Sequence, residues 1–406
     1  QLSKADLSGA NLAKNGSTAT NLTNADLTGA ILTSATLSDA NLTGANLTGA
    51  NLSGANLTST ILTGANLTGA DLTGTTLTTI VISGTTNLTR AILVGADLGG
   101  DDLTGVDLEK ADLRGADLAG TDLENAILTG ANLGKNGTTA TDLTGAILTG
   151  AQLSKADLSG ANLAKNGSTV VNLTNADLTG AILTDAILSE ANLTGANLTG
   201  ANLTGANLTS TVLTGANLTG ADLTGTTLTT IVISGTTNLT RAILVGADLG
   251  GDDLTGVDLE KADLRGADLA GTDLENAILT GANLGKNGTT ATDLTGAILT
   301  GAQLSKADLS GANLAKNGST ATNLTNADLT GAILTSATLS DANLTGANLT
   351  GANLSGANLT STVLNGANLT GADLTGATLT TIVINGDTNL TLSLIHISEP
   401  TRLHTI

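Results

Sequence analysis

An apolar residue, nearly always leucine, returns at every fifth position along most of the chain, set between polar residues and a glycine or another small residue. The stretch 40–59 shows the pattern unbroken: ANLTG, ANLTG, ANLSG, ANLTS. A step of five suits neither regular element. On an α-helix Leu42, Leu47, Leu52 and Leu57 would stand ~140° apart and share no face. On a flat strand they would point alternately to opposite sides. They can be buried together only if the chain turns a corner once per phrase. Ala40 and Leu42 then point inward, Asn41 and Thr43 outward, and Gly44 sits at the bend, where glycine tolerates backbone angles that are costly for other residues. The pattern predicts short β sides joined by corners and stacked ~4.8 Å apart, with Leu42, Leu47, Leu52 and Leu57 in the structural core.

Departures from the five-residue step are few. Position 17 should be an apolar centre but is Ser17, within Lys14-Asn15-Gly16-Ser17-Thr18; Asn-Gly is a turn signal, so this phrase is expected to loosen into a surface loop. The step then holds from Leu22 to Leu77. Leu88 follows Ile82 by six residues, which predicts a bulge near Gly84–Asn87. A second loosened phrase, Lys135-Asn136-Gly137-Thr138, precedes Leu143. At Gln152 the text begins again, and at Gln303 once more, giving near-identical 151-residue units starting at 1, 152 and 303. Such near-identity is read equally as recent duplication or as an error of sequence assembly. A unit holds thirty phrases and the bulge residue, so four phrases per coil predict seven and a half coils, with corresponding marks on opposite sides.

The A-(D/N)-L-x-x phrase, repeated in tandem over residues 1–391, resembles the pentapeptide-repeat family. The resemblance implies an all-β chain folded as a right-handed quadrilateral β-helix, a β-solenoid with four pentapeptides per coil. Residues 1–391 are then a single continuous solenoid of about twenty coils, ~95 Å long at the strand spacing. The repeat stops at Thr391. The tail, 392–406, resembles the translation of a sequencing adapter and is expected to lie outside the fold.

Composition fits a narrow interior. The chain has 52 Gly, 40% hydrophobic residues and no Phe, Trp, Tyr, Cys or Met. No disulfide or thiolate metal site can form, and a solenoid needs none. No apolar run approaches the ~20 residues of a membrane span. The chain opens at Gln1 in mid-phrase, so residues upstream are expected and the lack of a visible leader carries no weight. The compartment is left open, with a bacterial cytoplasm the expectation.

The net charge of −20 is concentrated in two bands. The first comprises Asp97, Asp102, Asp107, Asp112, Asp117 and Asp122, with Asp101, Glu109 and Glu124 among them. The second comprises Asp248, Asp253, Asp258, Asp263, Asp268 and Asp273. Four phrases per coil put Asp97 above Asp117 and Asp102 above Asp122, with Asp107 and Asp112 on the other two sides. This makes an acidic collar, a docking surface for a basic protein surface or simply a solvated exterior. Outward Ile127 and Ile147, twenty residues apart, are expected to stack.

No carboxylate is expected to be buried, so no acid/base pair is read. No phosphate loop, metal set or cofactor motif is present. His396 and His404 lie in the tail without further ligands. The Asn-Leu-Thr sequons follow from repetition alone. Without a basic stripe or an aromatic residue, direct nucleic-acid binding is not expected. The expectation is a non-enzymatic scaffold or protein-binding surface. The resemblance also implies an alternative, a DNA-mimicking inhibitor or protector of type II topoisomerase. Averaged over its length the charge is about one per 5 Å, against one per ~1.7 Å in B-DNA. Core phenylalanine and a C-terminal dimerisation helix, known in such mimics, are missing. A second alternative is ice or surface binding by Thr and Asn ladders.

Overall fold

The computed structural model describes residues 1–391 and the pair 404–405. They fall into two compact units, Gln1–Val212 and Leu213–Ile406. Each is a β-helix whose successive turns are joined by single parallel bridges rather than by long strands.

One phrase shows why the pattern folds this way. Ala40 N–H donates to Leu37 O of the preceding phrase (2.9 Å), closing the turn at the corner. Asn41 N–H donates to Thr20 O of the coil before (2.8 Å). Leu42 and Gly44 N–H donate to Ile61 O (2.8 Å) and Thr63 O (3.0 Å) of the coil after. The fifth amide, Thr43, donates to Asn41 Oδ1 (3.0 Å), and the Thr43 hydroxyl donates to the same oxygen (2.6 Å). Every backbone donor of the phrase is satisfied, as buried backbone requires. The Asn or Asp at the second position is thus the acceptor for the one amide that the ladder leaves over. Gly44 has φ 65°, the positive value a type II turn needs at this place. Where Asp39, Ser59 or Lys110 takes the same corner, φ is 59°, 57° and 57°, at a cost of about 1–2 kcal/mol each.

Inside the coil, Leu42, Leu47, Leu52 and Leu57 are fully buried, as are Ala40 and Ala45. Threonine replaces the inward alanine at several phrases and stays dry. Thr60 donates its hydroxyl to Leu37 O (2.9 Å) and Thr121 donates to Leu98 O (2.9 Å), so neither leaves a buried donor unpaired.

In unit 1 the usual bridge spacing is 20 residues, as in Asn21–Asn41 and Asn41–Ile61, so one turn takes four phrases. The predicted bulge sits in the turn Ser83–Thr86, where Thr86 N–H donates to Ser83 O (2.7 Å) and the ladder step becomes Asn66–Asn87. The loosened phrases are not loose. Asn15–Thr18, Asn136–Thr139 and Asn166–Thr169 each form an antiparallel bridge around a two-residue turn. Each hairpin stands outside the coil, so the ladder steps past it by 25 residues, as in Asp6–Ile31 and Asn132–Asp157.

The hairpins overturn two expectations. With two phrases outside the coil, a 151-residue copy makes seven whole turns, not seven and a half. One ladder runs from Asp6 through Ile31, Asn51, Asp71, Ile92, Asp112 and Asn132 to Asp157, so residues 151 apart share a side. Ile127 and Ile147 do not stack, because the hairpin at 136–139 lies between them: Ile127 pairs with Gln152, and Ile147 with Asp122.

Unit 2 repeats this architecture. Its hairpins are Asn287–Thr290 and Asn317–Thr320, and one ladder joins Asn238 to Asn389 by the same series of steps. It also holds two short strands, β1 (Val383–Ile384) and β2 (His404–Thr405), paired in parallel. The rest of the expected tail, 392–403 and 406, lies outside the described residues. Among the described residues no helix is long and apolar enough to cross a membrane.

Burying an unpaired charge is severe, whereas an outward threonine makes only local bonds. Leu52→Asp is therefore expected to abolish the cooperative thermal transition. Thr48, whose hydroxyl donates to Asn46 Oδ1 (2.6 Å), should cost only about 1 kcal/mol as Thr48→Asp. Circular-dichroism melts of the two variants check this, and comparable melts would contradict the inward placement of leucine.

Candidate functional site

The acidic residues occupy the second position of their phrases, and their ladders place them directly. In unit 1 Asp97 bridges Asp117, and Asp117 bridges Asp142, giving three stacked carboxylates on one side. Asp102 bridges Asp122 on a second side. Asp107 stands alone on a third, between Asn87 and Ile127, and Asp112 on the fourth, between Ile92 and Asn132. Unit 2 repeats the arrangement with Asp248–Asp268–Asp293 and Asp253–Asp273, while Asp258 and Asp263 have no acidic ladder neighbour. Asp142 and Asp293 were not among the expected site residues. A strict twenty-residue count lands on Gly137 instead of Asp142, and only removing the Asn-Gly hairpin from the count recovers the third carboxylate.

Each carboxylate does the structural task of asparagine. Asp117 Oδ1 accepts Ala119 N–H (3.0 Å) and Asp122 Oδ1 accepts Glu124 N–H (2.9 Å), the same bond that Asn41 makes with Thr43. Hydrogen bonds from Thr104 hold Asp102 below the usual carboxylate range.

The charge is unevenly compensated. Arg114 grips Asp112 with two donors, at 2.8 Å from Nε and 2.6 Å from Nη2, and this bond holds Asp112 below its usual range. Lys110 pairs with Glu109 at 2.5 Å, and its hydrogen bond lowers Glu109. Asp97, Asp117, Asp142, Asp102 and Asp122 have no basic partner among the described residues. In each unit, then, net negative charge gathers on the two sides that carry stacked aspartates. Arg265–Asp263 and Lys261–Glu260 repeat the compensation in unit 2.

Contrary to the expectation that no carboxylate is buried, Asp101 and Asp252 are only 5% and 6% exposed. They stand two residues before Leu103 and Leu254, the inward position that alanine or threonine fills elsewhere. Here the ladder that joins Ile61 to Val81 restarts at Asp102. Asp101 accepts the backbone N–H groups of Thr79 and Ile80, while its Oδ2 has no partner. Burial pushes its pKa up to about 7, against the pull of the Thr79 N–H, with Asp97 adding to the rise. Asp252 rises to about 6, through burial and then Asp248, tempered by Thr230 and Ile231. The doubled aspartate at 101–102 and 252–253 was the available signal, since a phrase has room for only one outward acid before its leucine. Among the described residues no group of three or more His, Cys, Asp or Glu could hold a metal ion.

The family described as pentapeptide repeats (8 copies) matches twelve overlapping or successive segments, beginning with 18–49 and 40–78 and ending with 320–351 and 342–380. No curated protein matches the chain. Among solved structures, HetL, a pentapeptide repeat protein involved in heterocyst differentiation regulation from the cyanobacterium Nostoc sp. strain PCC 7120, is 30% identical. That match covers 73% of this chain and 89% of HetL, with a TM-score of 0.19. Rfr23, a pentapeptide repeat protein from the cyanobacterium Cyanothece 51142, is 29% identical over 37% of this chain and 86% of its own, with a TM-score of 0.14. QnrB1, a plasmid-mediated fluoroquinolone resistance protein, is 20% identical over 47% of this chain and 81% of its own, with a TM-score of 0.20.

The buried aspartates predict a pH dependence. Their folded pKa values, about 7 and about 6, lie well above the ordinary carboxylate range. The folded state therefore holds protons that the unfolded state releases, so the stability these two groups contribute is fully present below the ordinary carboxylate pKa and is lost as pH rises through 6 to 7. Urea midpoints should be higher at pH 5 than at pH 8, and the double variant Asp101→Asn, Asp252→Asn should flatten that slope. An unchanged slope in the variant would remove these groups as its cause.

Proposed function

The chain belongs to the pentapeptide-repeat family, and on that premise we propose that it is a non-enzymatic protein-binding element whose stacked aspartates dock a basic protein surface. We read its coil as right-handed and four-sided, as the family implies, and its repeats as one continuous array over 1–391, because the five-residue step passes Val212 and Leu213 unbroken.

The observation that carries the proposal is the ladder Asp97–Asp117–Asp142 and its counterpart Asp248–Asp268–Asp293. Two like charges one rung apart, ~4.8 Å, repel by about 0.9 kcal/mol in water before screening. Asparagine satisfies the same backbone amide and is the commoner choice in this chain, as at Asn41, Asn46 and Asn51. Folding does not require the acids, and stacking them opposes it. Such a cost is expected where charge serves recognition. On the other two sides Lys110 and Arg114 each hold an acid, Glu109 and Asp112, whereas none of the stacked aspartates has a basic partner among the described residues, which leaves these sides free for a partner.

The triple variant Asp97→Asn, Asp117→Asn, Asp142→Asn should fold, and at low salt should gain about 1–2 kcal/mol from relieved repulsion. Affinity capture from a bacterial lysate should retain a basic protein on the wild-type chain, in a salt-sensitive manner, and lose it on the variant. Identical capture by both would refute the acidic docking surface. A DNA gyrase supercoiling assay with the same pair gives the partner class: inhibition by the wild type that weakens in the variant would assign the topoisomerase reading.

A further inference from the structure

Each hairpin phrase opens with a lysine: Lys14, Lys135, Lys165, Lys286 and Lys316. The residue 25 positions on lies beside it in the next coil. At three hairpins that residue is an acid and an ion pair forms: Lys14–Asp39 (3.9 Å), Lys165–Glu190, and Lys316–Asp341 (3.4 Å). At the other two it is glycine, Gly160 beside Lys135 and Gly311 beside Lys286. A Cβ at Gly160 or Gly311 would collide with the end of the lysine side chain, which lies across the bare backbone. Backbone conformation does not explain the glycine. Asp39, Glu190 and Asp341 occupy the same corner at φ 59°, 62° and 61°, against 63° for Gly160 and 66° for Gly311. Among the described residues Lys135 and Lys286 make no ion pair.

Each of these ammonium groups lines a cleft. The first, of about 410 Å³, brings Lys135 together with Arg114, Asn132, Asp157 and Ser159. The second, of about 400 Å³, brings Lys286 together with Arg265, Asn283, Asp308 and Ser310. Arg114 is already held by Asp112, so the lysine is the cation of the cleft that forms no ion pair among the described residues. Asn132 uses its Oδ1 on Gly134 N–H (3.0 Å), leaving the amide NH2 as a donor. Asp157 uses Oδ1 on Ser159 N–H (2.9 Å) and Oγ–H (2.6 Å), leaving Oδ2 as an acceptor. A donor and an acceptor beside an unpaired cation suit a hydroxyl-bearing acid.

We propose that both clefts bind a small hydroxylated carboxylate of the sugar-acid type, its carboxylate pairing with the lysine that Asp39, Glu190 and Asp341 neutralise at the other hairpins. The site is independent of the stacked aspartates. The clefts differ at one position: Asp185 lines the first and Ser336 the second. The extra negative charge makes the first cleft the weaker binder.

Calorimetric titration of the full chain with glucuronate tests this, with glucose as the neutral comparator. Saturable binding at two sites is expected, with Kd on the order of 1 mM and the tighter site in unit 2. Glucose should not bind. Gly160→Asp with Gly311→Asp recreates the ion pair of the other hairpins at a corner where the chain already carries Asp. It should weaken glucuronate binding at least about 10-fold, equivalent to a tenfold rise in Kd, with an unchanged melting temperature. Lys135→Ala with Lys286→Ala should do the same by removing the cation. Glucuronate binding no better than glucose, or binding that survives both double variants, would overturn the proposal.

Discussion

A backbone that turns a corner every five residues must find an acceptor for each of five amides, and the ladder with neighbouring coils and the corner turn together supply only four. Where the second position is Asn or Asp, the remaining amide is satisfied by that side chain, two residues before it. This one bond, from Thr43 N–H to Asn41 Oδ1 and its equivalents along both units, explains why Asn and Asp are the commonest residues at the second position, although Ile31, Thr36, Val81 and Ile92 show that the coil also closes without them. Leucine burial supplies the driving force for folding, yet it could be met by many apolar sequences. The leftover amide favours Asn and Asp on the outward side of the coil without excluding Ile, Val or Thr. Within that choice charge is free to vary, because Asn and Asp present the same oxygen. The acidic surface is therefore written in a position that folding constrains in shape but not in charge.

Much of the architecture is legible in the spacing alone. The inward leucines, the glycine corner and the site of the extra residue at Ser83–Thr86 all follow from counting. The failures share one cause. Lys14-Asn15-Gly16-Ser17 keeps the five-residue count while leaving the coil, so arithmetic that treats it as a side accumulates an error of one side per hairpin. Ile127 and Ile147 were thereby brought together wrongly, Asp142 was missed, and the copies were turned half a revolution out of phase. An Asn-Gly pair signals a turn, but it does not say whether the turn replaces a side or is added to the four.

The candidate surface was legible in outline. The second-position aspartates could be assigned to sides, but their compensation could not. Arg114 on Asp112 and Lys110 on Glu109 are contacts between close sequence neighbours whose geometry depends on the corner between them. Asp101 is a different case. Its place two residues before Leu103 marks it as inward, and composition alone hid it among its exposed neighbours. A carboxylate is tolerated there because the interrupted ladder presents the amides of Thr79 and Ile80 to it.

The seven-turn length of the 151-residue copy bears on how such a chain can change. Unequal recombination between aligned copies inserts or deletes whole turns, so every ladder rejoins its own continuation, as Asp6 and Asp157 share one ladder in unit 1. An exchange out of frame by a single pentapeptide would rotate everything beyond it by a quarter revolution and break up any stripe of like residues. Genetic slippage in this chain can thus alter length while conserving azimuth, and selection can act on the number of copies without having to rebuild the pattern each one displays.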